Sequence, residues 1–403
     1  VENRPAFFWH WFALNRLGET GTWDIEALKL IVRDQIDLGE DVVSLGFDPA
    51  TVDILLQDEV AETEEDPLPP LADNPVTRPG DIWVCDDNRV GCGDARDVDF
   101  IGLVFGDEAI QLAFVDSPYN VPVQGHVTRQ AHREFAMASG EMDREAYKGF
   151  QKAWLAPLFQ VLAPGGYVQS CIDWRSVADH VLCGEAAGFT LANIVVWSKP
   201  NPGQGSLWRS AHEFIVVFRK PGAKSINNIR LGSAGRSRSN VWTYPGGASL
   251  HSEAREALAD HPTPKSLAMV ADAILDVTHR GDLTADTFLG SGTTLLAAQQ
   301  TGRRFRGIEI DPRYVDLSIR RWEAATGSSA VHASTGETFA TVMARRDQAS
   351  GGGHPGEPDS TDVTTSWRPP DGPINGAGPP ASADVLALPK PRRRVPAPSR
   401  RED

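Results

Sequence analysis

The stretch Asp286–Asp311, DTFLGSGTTLLAAQQTGRRFRGIEID, decides the fold. Its apolar entry, Leu283 to Phe288, reads as a strand. A glycine-rich turn follows, Gly290-Ser291-Gly292-Thr293-Thr294, with a helix over Thr293–Gln300. A second strand, Phe305 to Ile310, delivers Glu309 and then Asp311. Strand, helix and strand with such short joints make a βαβ unit, the building block of a parallel sheet. Glycines in the turn let the backbone approach a ligand closely, and a helix start exposes unpaired N–H groups. An acid roughly 20 residues beyond the first glycine suits the hydroxyls of a ribose. The dinucleotide pattern G-x-G-x-x-G is incomplete, because threonine, threonine and leucine follow Gly292. On these residues alone a nucleoside-type ligand, a dinucleotide and a bare strand-to-helix turn are all compatible.

Working outward, the run QLAFVDSPYN, Gln111–Asn120, raises a second question. An apolar strand, Leu112 to Val115, ends abruptly in Asp116-Ser117-Pro118-Tyr119. In open α/β sheets ligands bind at that end. Further strand-like runs, Gly166 to Ile172, Ile194 to Trp197 and Phe214 to Phe218, alternate with helical stretches up to Glu323. This alternation is the signature of a parallel, doubly wound sheet. DIWVCDDNRVGCGDA, from Asp81, reads as a hairpin centred on Asp87-Asn88. Before it, Trp23 to Gln57 reads as a small helical unit, with Asp24 as N-cap and Ile25, Leu28, Ile31 and Val32 at helical spacing. An acidic, proline-rich linker covers 58–77. The residues from 327 to 403 are too poor in apolar side chains to offset chain entropy and read as a disordered tail with a basic end, KPRRRVPAPSRR.

The chain has 403 residues, 41% hydrophobic and 23% charged, which fits a globular protein of one to three domains. No run of 18 apolar residues suggests a membrane helix, and AFFWHWFAL near the start lacks the flanks of a signal peptide. The expected location is the cytoplasm. The first residue is Val1, which reads as a fragment or a mis-assigned start. Four cysteines in no CxxC spacing, without paired histidines, argue for free thiols and against zinc. The formal charge of −15 opposes nucleic-acid binding if taken alone. It is unevenly spread: DEVAETEED at 58–66 is acidic, whereas Lys199 to Arg238 is rich in Lys and Arg.

The two opening stretches together resemble one family. Asp116-Ser117-Pro118-Tyr119 resembles the Asp-Pro-Pro-Tyr catalytic motif of S-adenosylmethionine-dependent DNA amino-methyltransferases. Asp286 to Thr294 resembles their Asp-Pro-Phe-x-Gly-x-Gly-Thr-Thr cofactor motif. His261-Pro-Thr-Pro-Lys265 resembles the His-Pro-Thr-x-Lys segment before it. The order, catalytic motif first, is that of the β group. The similarity covers roughly Arg78 to Glu323. Upstream, ALNRLGETGTWD is similar to the tail of a ParB-type domain, making 1–57 a remnant of such a domain. The resemblance implies a Rossmann-like methyltransferase domain over 78–326, with a target-recognition region inserted at 198–255.

It also implies site residues. Asp116 and the carbonyl of Ser117 would accept the two hydrogens of an exocyclic amine, Pro118 would stiffen the turn, and Tyr119 would stack on a flipped base. Serine for proline at Ser117 loses a fixed φ but keeps the carbonyl. Asp94, Lys265, Asp286, Phe288, Gly290, Gly292, Thr293 and Glu309 would serve the cofactor. Thr287 and Ser266 stand where proline is usual. In SAGRSRSNVW, Ser233 to Trp242, the residues Arg236, Arg238 and Asn240 would contact DNA, as would Arg209. The implied partner is double-stranded DNA, with no membrane; a homodimer and a restriction partner stay open. The leading Asp favours adenine N6 over cytosine N4. A non-catalytic DNA-binding module and a small-molecule or protein methyltransferase are the readings from other classes.

Overall fold

The computed structural model describes residues 25–37, 49–56, 71–72, 74–121, 137–200, 202, 207–229, 236–245 and 265–351. Helices α1 (Ile25–Asp37) and α2 (Pro49–Leu56) come first. The hairpin β1 (Ile82–Cys85) and β2 (Asn88–Cys92) follows, then α3 (Val98–Phe105) and β3 (Ile110–Val115). Next are α4 (Arg144–Val161), β4 (Leu162–Ile172), α5 (Val177–Ala186), β5 (Thr190–Ser198), β6 (His212–Arg219) and β7 (Val241–Thr243). The chain continues through α6 (Leu267–Val277), β8 (Leu283–Asp286), α7 (Thr293–Gln300), β9 (Arg304–Glu309) and α8 (Pro312–Thr326). It ends, among the described residues, with β10 (Val331–His332) and α9 (Phe339–Gly351).

The strands form one ten-stranded sheet in the order β10-β1-β2-β9-β8-β3-β4-β6-β5-β7. Five central strands, β2, β9, β8, β3 and β4, run parallel. The α/β, doubly wound expectation holds for this centre. The margins differ from a parallel sheet: β6 runs antiparallel to both β4 and β5, and β1 to both β2 and β10. The reason is local. β1 turns directly back into β2, and β6 follows β5 with no helix between them among the described residues; strands joined without a crossover pair antiparallel.

The central strand β3 is apolar because both its faces are covered. Along β3, Leu112 and Phe114 point into a layer with Met269 and Ile274 of α6 and Leu295 of α7. Ala113 and Val115 point to the opposite layer, with Phe105 of α3 and Trp154 and Leu155 of α4. The β1–β2 turn falls one residue earlier than the sequence suggests. Asn88 already pairs with Cys85, and Asp86 takes the left-handed φ of 52°. Asn88 is buried, its amide donating to Gln299 Oε1 at 3.0 Å.

The winding reverses between β3 and β8. From β3 the chain crosses through α4 to β4 on one side; from β8 it crosses through α7 to β9 on the other. β3 and β8 are themselves paired, Leu112 with Thr284 and Ala113 with Ala285. A crevice at the carboxyl ends of two such strands is where ligands bind.

Two boundaries need correction or comment. Residues 327–351 are not a disordered tail. Gly327, with φ 72°, caps α8, β10 pairs with β1, and Ala330, Phe339 and Val342 are buried in the main core. The low apolar content hid three well-spaced core side chains. The proposed tail beyond 351 lies outside the described residues, as do most of the linker and Asp24. Helices α1 and α2 pack through Leu28, Val32, Val52 and Leu55. They are joined to the sheet by a buried ion pair, Arg303 Nη2 to Asp53 Oδ2 at 2.6 Å.

Candidate active site

Two strand ends build the site, and the loop after β8 is the first. Asp286 accepts from the Phe288 N–H at 2.9 Å and from Thr294 Oγ1 at 2.7 Å, so it folds the loop onto its own helix. Burial pushes its carboxyl up to about 7, against those two hydrogen bonds. The sequence assigned Asp286 to the cofactor; in the structure one of its oxygens meets the Phe288 N–H of the loop and the other the Thr294 hydroxyl of α7. Gly290 and Gly292 have φ of 53° and 86°, and a Cβ on Gly292 would lie 2.8 Å from Ser318 Oγ of α8. Only glycine fits there. Gly292 ends the loop as N-cap of α7 without a side-chain cap.

Glu309, at the end of β9, faces this loop. It accepts from the Gly290 N–H at 2.8 Å and the Asp311 N–H at 2.9 Å. Burial pushes it up to about 7 despite both bonds. Phe288 stands edge-on to Phe150 and Trp154, with ring centroids 6.1 and 5.5 Å away. Thr293 is buried in the first turn of α7. Asp94 lies beside the end of β9, because the preceding Gly93 N–H donates to the Glu309 carbonyl at 2.9 Å. Its carboxylate is held by Arg96 at 2.6 Å.

The end of β3 is the second component. Tyr119 donates its hydroxyl to Asp116 Oδ1 at 2.6 Å and to Glu213 Oε2 at 3.1 Å. The Ser117 hydroxyl is buried without a partner, and the Pro118 carbonyl accepts from Tyr147 OH at 2.9 Å. Asn120, with φ 57°, clamps the following chain by accepting from Gly140 N and Met142 N and donating to the Met142 carbonyl.

Lys265, expected to serve the cofactor, is not at the Gly290–Gly292 loop. Its ammonium lies 2.9 Å from Asp116 Oδ2, 3.2 Å from Glu213 Oε2 and 3.3 Å from Tyr119 OH. Ser266 N-caps α6 and so holds Lys265 over the end of β3. Glu213 and Lys199 form an ion pair beside it, and both lysines lie over the Trp197 ring, 4.5 and 4.9 Å from its centroid. Burial alone would raise the Glu213 carboxyl, but Lys265 and Lys199 pull it down to about 2. Burial and the facing acids push the Tyr119 hydroxyl well above its ordinary range. Sequence reading missed Glu213 and Lys199. The available signal was a lone acid opening an otherwise apolar strand, HEFIVVFR. The segment 261–264 lies outside the described residues.

The DNA-facing expectations divide. Arg236 and Arg238 point inward: Arg236 pairs with Asp272 and Asp276 at 2.9 Å, and Arg238 with the same acids at 2.6 and 3.0 Å. Arg238 also lies 4.6 Å from the Trp242 ring centroid. Two carboxylates on α6, the buried Asp276 and the partly buried Asp272, claim both guanidinium groups, which the sequence could not show. Arg209 and Asn240 are exposed, donating to the carbonyls of Pro202 and Ile194. Leu207, Trp208 and Trp174 are 80%, 82% and 51% exposed, which is unusual for such side chains. Trp174 follows the end of β4, which pairs with the start of β6, so it leaves the sheet at the same edge as the 207–209 segment and Tyr119.

Residues 110–320 match the DNA methylase family of N6/N4 type. The chain is similar to the Type II methyltransferase M2.DpnII of Streptococcus pneumoniae, 28% identical over 54% of this chain and 84% of that protein. It is similar to the Type II methyltransferase M2.MboI of Moraxella bovis, 27% identical over 60% of this chain and 90% of that protein. Among solved structures, a putative DNA modification methylase of Thermus thermophilus complexed with S-adenosyl-L-methionine aligns at TM-score 0.46 and 23% identity. The alignment covers 60% of this chain and 96% of that one.

Proposed function

The chain belongs to the N6/N4 DNA methylase family, and on that premise we propose a site-specific methyltransferase that acts on the exocyclic N6 of adenine in duplex DNA, with S-adenosylmethionine as donor. One observation carries this reading. The Asp116–Tyr119 segment and the Gly290–Gly292 loop leave the carboxyl ends of two paired strands, β3 and β8, at the point where the winding reverses. A base and a methyl donor held on those ends meet in one crevice.

The residues around the loop suit the donor. Backbone glycines allow close approach, Phe288 offers an apolar surface, and Glu309 offers lone pairs to ribose hydroxyls. When bound, S-adenosylmethionine supplies an electrophilic methyl group. The chain's own residues prepare the amine. Its lone pair is delocalised into the base ring, and acceptors for its two hydrogens favour the pyramidal form that attacks. Asp116 provides one acceptor and the Ser117 carbonyl the other. Lys265 and Tyr119 already donate to Asp116, yet each carboxylate oxygen retains a second lone pair. The half-buried Tyr119 ring, pinned through its hydroxyl, offers a face to a base turned out of the duplex.

DNA contact is supported by the exposed Trp174 and Trp208, each followed by an arginine, at the edge where Tyr119 emerges. Arginines contact phosphates and aromatic rings stack on bases. Arg209 and Asn240 stay in this surface; Arg236 and Arg238 support it from within. The Type II designation of the similar methyltransferases supports a defined recognition sequence. Adenine follows from the Asp that opens the tetrad. Cytosine N4 is the second reading, because the same two acceptors fit either amine.

The test is transfer of labelled methyl to unmethylated duplex DNA, followed by digestion and mass spectrometry of nucleosides. N6-methyladenine that vanishes in Asp116→Ala is the expected result. N4-methylcytosine overturns the choice of base, and methyl transfer that needs no DNA overturns the substrate class.

A further inference from the structure

Behind the tetrad lies a buried acid that the scheme above does not use. Glu213 sits at the second position of β6, where that strand runs beside the carboxyl end of β4. Its carboxylate accepts from Tyr119 OH at 3.1 Å and Lys265 Nζ at 3.2 Å, and pairs with Lys199. Those first two donors are the groups that hold Asp116. Lys265 lies on Oδ2 at 2.9 Å, and Tyr119 donates to Oδ1 at 2.6 Å. Both oxygens of the proposed amine acceptor are thus held by side chains that Glu213 holds in turn.

We propose that Glu213 is a positioning residue for methyl transfer: through Lys265 and Tyr119 it fixes the orientation of the Asp116 carboxylate toward the target amine. This inference rests on the amine-methylation reading. A carboxylate on a short side chain rotates freely unless both oxygens are engaged, and acceptors serve a transition state only when preorganised. Charge supports the same role. Asp116 and Glu213 face Lys265 and Lys199, two acids against two bases. The amine gains positive charge as the methyl arrives, and an uncompensated ammonium beside it would oppose that step. Glu213 supplies the compensation. Lys199 lies on the Trp197 ring and secures Glu213 from the far side. Burial works against the charge on Lys265, yet Asp116 and Glu213 hold its ammonium above the ordinary range.

The experiment compares the full chain with Glu213→Gln and Glu213→Asp in steady-state methyl transfer to duplex DNA across pH. A wild-type protein that binds S-adenosylmethionine without transferring methyl refutes the function itself. With an active wild type, the inference stands or falls alone. Glu213→Gln is expected to lower kcat on the order of 100-fold with both KM values little changed, as a small misplacement of a reacting group does. Glu213→Asp, which keeps the charge, recovers part of the loss. The Gln variant also loses activity at alkaline pH where wild type is flat. Its Lys265 faces Asp116, Tyr119, Cys171 and Lys199 without the second carboxylate, and so gives up its proton more readily. In Glu213→Gln/Lys265→Gln the loss is well below the product of the two single losses, because Glu213 acts in large part through Lys265. Wild-type kcat and pH profile in Glu213→Gln, or losses that multiply in the double variant, overturn the proposal. If Glu213→Gln melts early, Glu213→Asp carries the kcat comparison, its shorter reach lowering kcat while the pH profile stays as in wild type.

Discussion

Binding of S-adenosylmethionine is expected to expel a proton from Glu309. In the free protein burial holds this carboxyl up to about 7, although the Gly290 and Asp311 N–H groups donate to it. A rise from an ordinary 4.5 to about 7 corresponds to about 3 kcal/mol of unfavourable charging. Ribose hydroxyls donate to the ionised form and therefore pull the value back down. If the ordinary value is restored, about half a proton leaves at pH 7 and nearly a whole one near pH 6. The same linkage makes Kd fall by about 70-fold between pH 5 and pH 8. Calorimetric titration with the donor, in buffers of different ionisation enthalpy, reads the proton count directly. Glu309→Gln should abolish the buffer dependence, whereas Asp286→Asn should preserve it, because the oxygens of Asp286 meet the Phe288 N–H and the Thr294 hydroxyl. A Kd that is flat from pH 5 to 8, with the same enthalpy in every buffer, would refute the assignment of Glu309 to the ribose.

Four further outcomes follow from the geometry. Asp286 and Glu309 both titrate near 7 when folded, so the folded chain binds more protons than the unfolded chain between about pH 4 and 7. That contribution to stability is present below the ordinary carboxylate range and is lost as pH rises toward 7; Asp286→Asn should flatten the melting temperature of the unliganded protein over that window. Gly292→Ala meets Ser318 in a left-handed conformation, and a cost of roughly 1–3 kcal/mol with loss of donor binding is expected by denaturant titration and calorimetry. Arg236→Ala should lower stability by about 3 kcal/mol, since it strips a partner from buried Asp276, while the salt dependence of DNA binding stays as in wild type. Trp208→Ala should raise KM for DNA about tenfold with donor affinity unchanged, in line with about 1–3 kcal/mol per base stacked on an aromatic ring; an unchanged KM would remove Trp208 from the DNA surface.

The central sheet was legible because its signals are local. Strand β3, buried on both faces, reads as an apolar run, and the expected helix over Thr293–Gln300 coincides with α7. The tetrad and the glycine turn were legible for the same reason, each being a contiguous motif. What escaped depends on contacts between distant positions. Glu213 and Lys265 are 52 residues apart, and nothing near either predicts the other. Arg236 and Arg238 look like surface side chains in a Gly- and Ser-rich stretch; only Asp272 and Asp276, on a helix not yet reached, turn them inward. Lys265 was misplaced because its motif neighbours the cofactor motif in sequence, while Ser266 starts a helix that carries it to the other strand end. Val331–His332 is a strand only because β1 offers an open edge beside it.

The buried pair between Asp53 and Arg303 has a consequence for how the protein is made. This guanidinium finds Thr278 and the Thr301 carbonyl close by in sequence, whereas its two bonds to Asp53 need a far earlier segment. The partners are 250 residues apart. At the usual pace of synthesis, Asp53 leaves the ribosome roughly 10 to 50 seconds before Arg303 exists. Helices α1 and α2 therefore emerge well before the residue that secures them, and their ion pair to the sheet forms only once β9 has been translated.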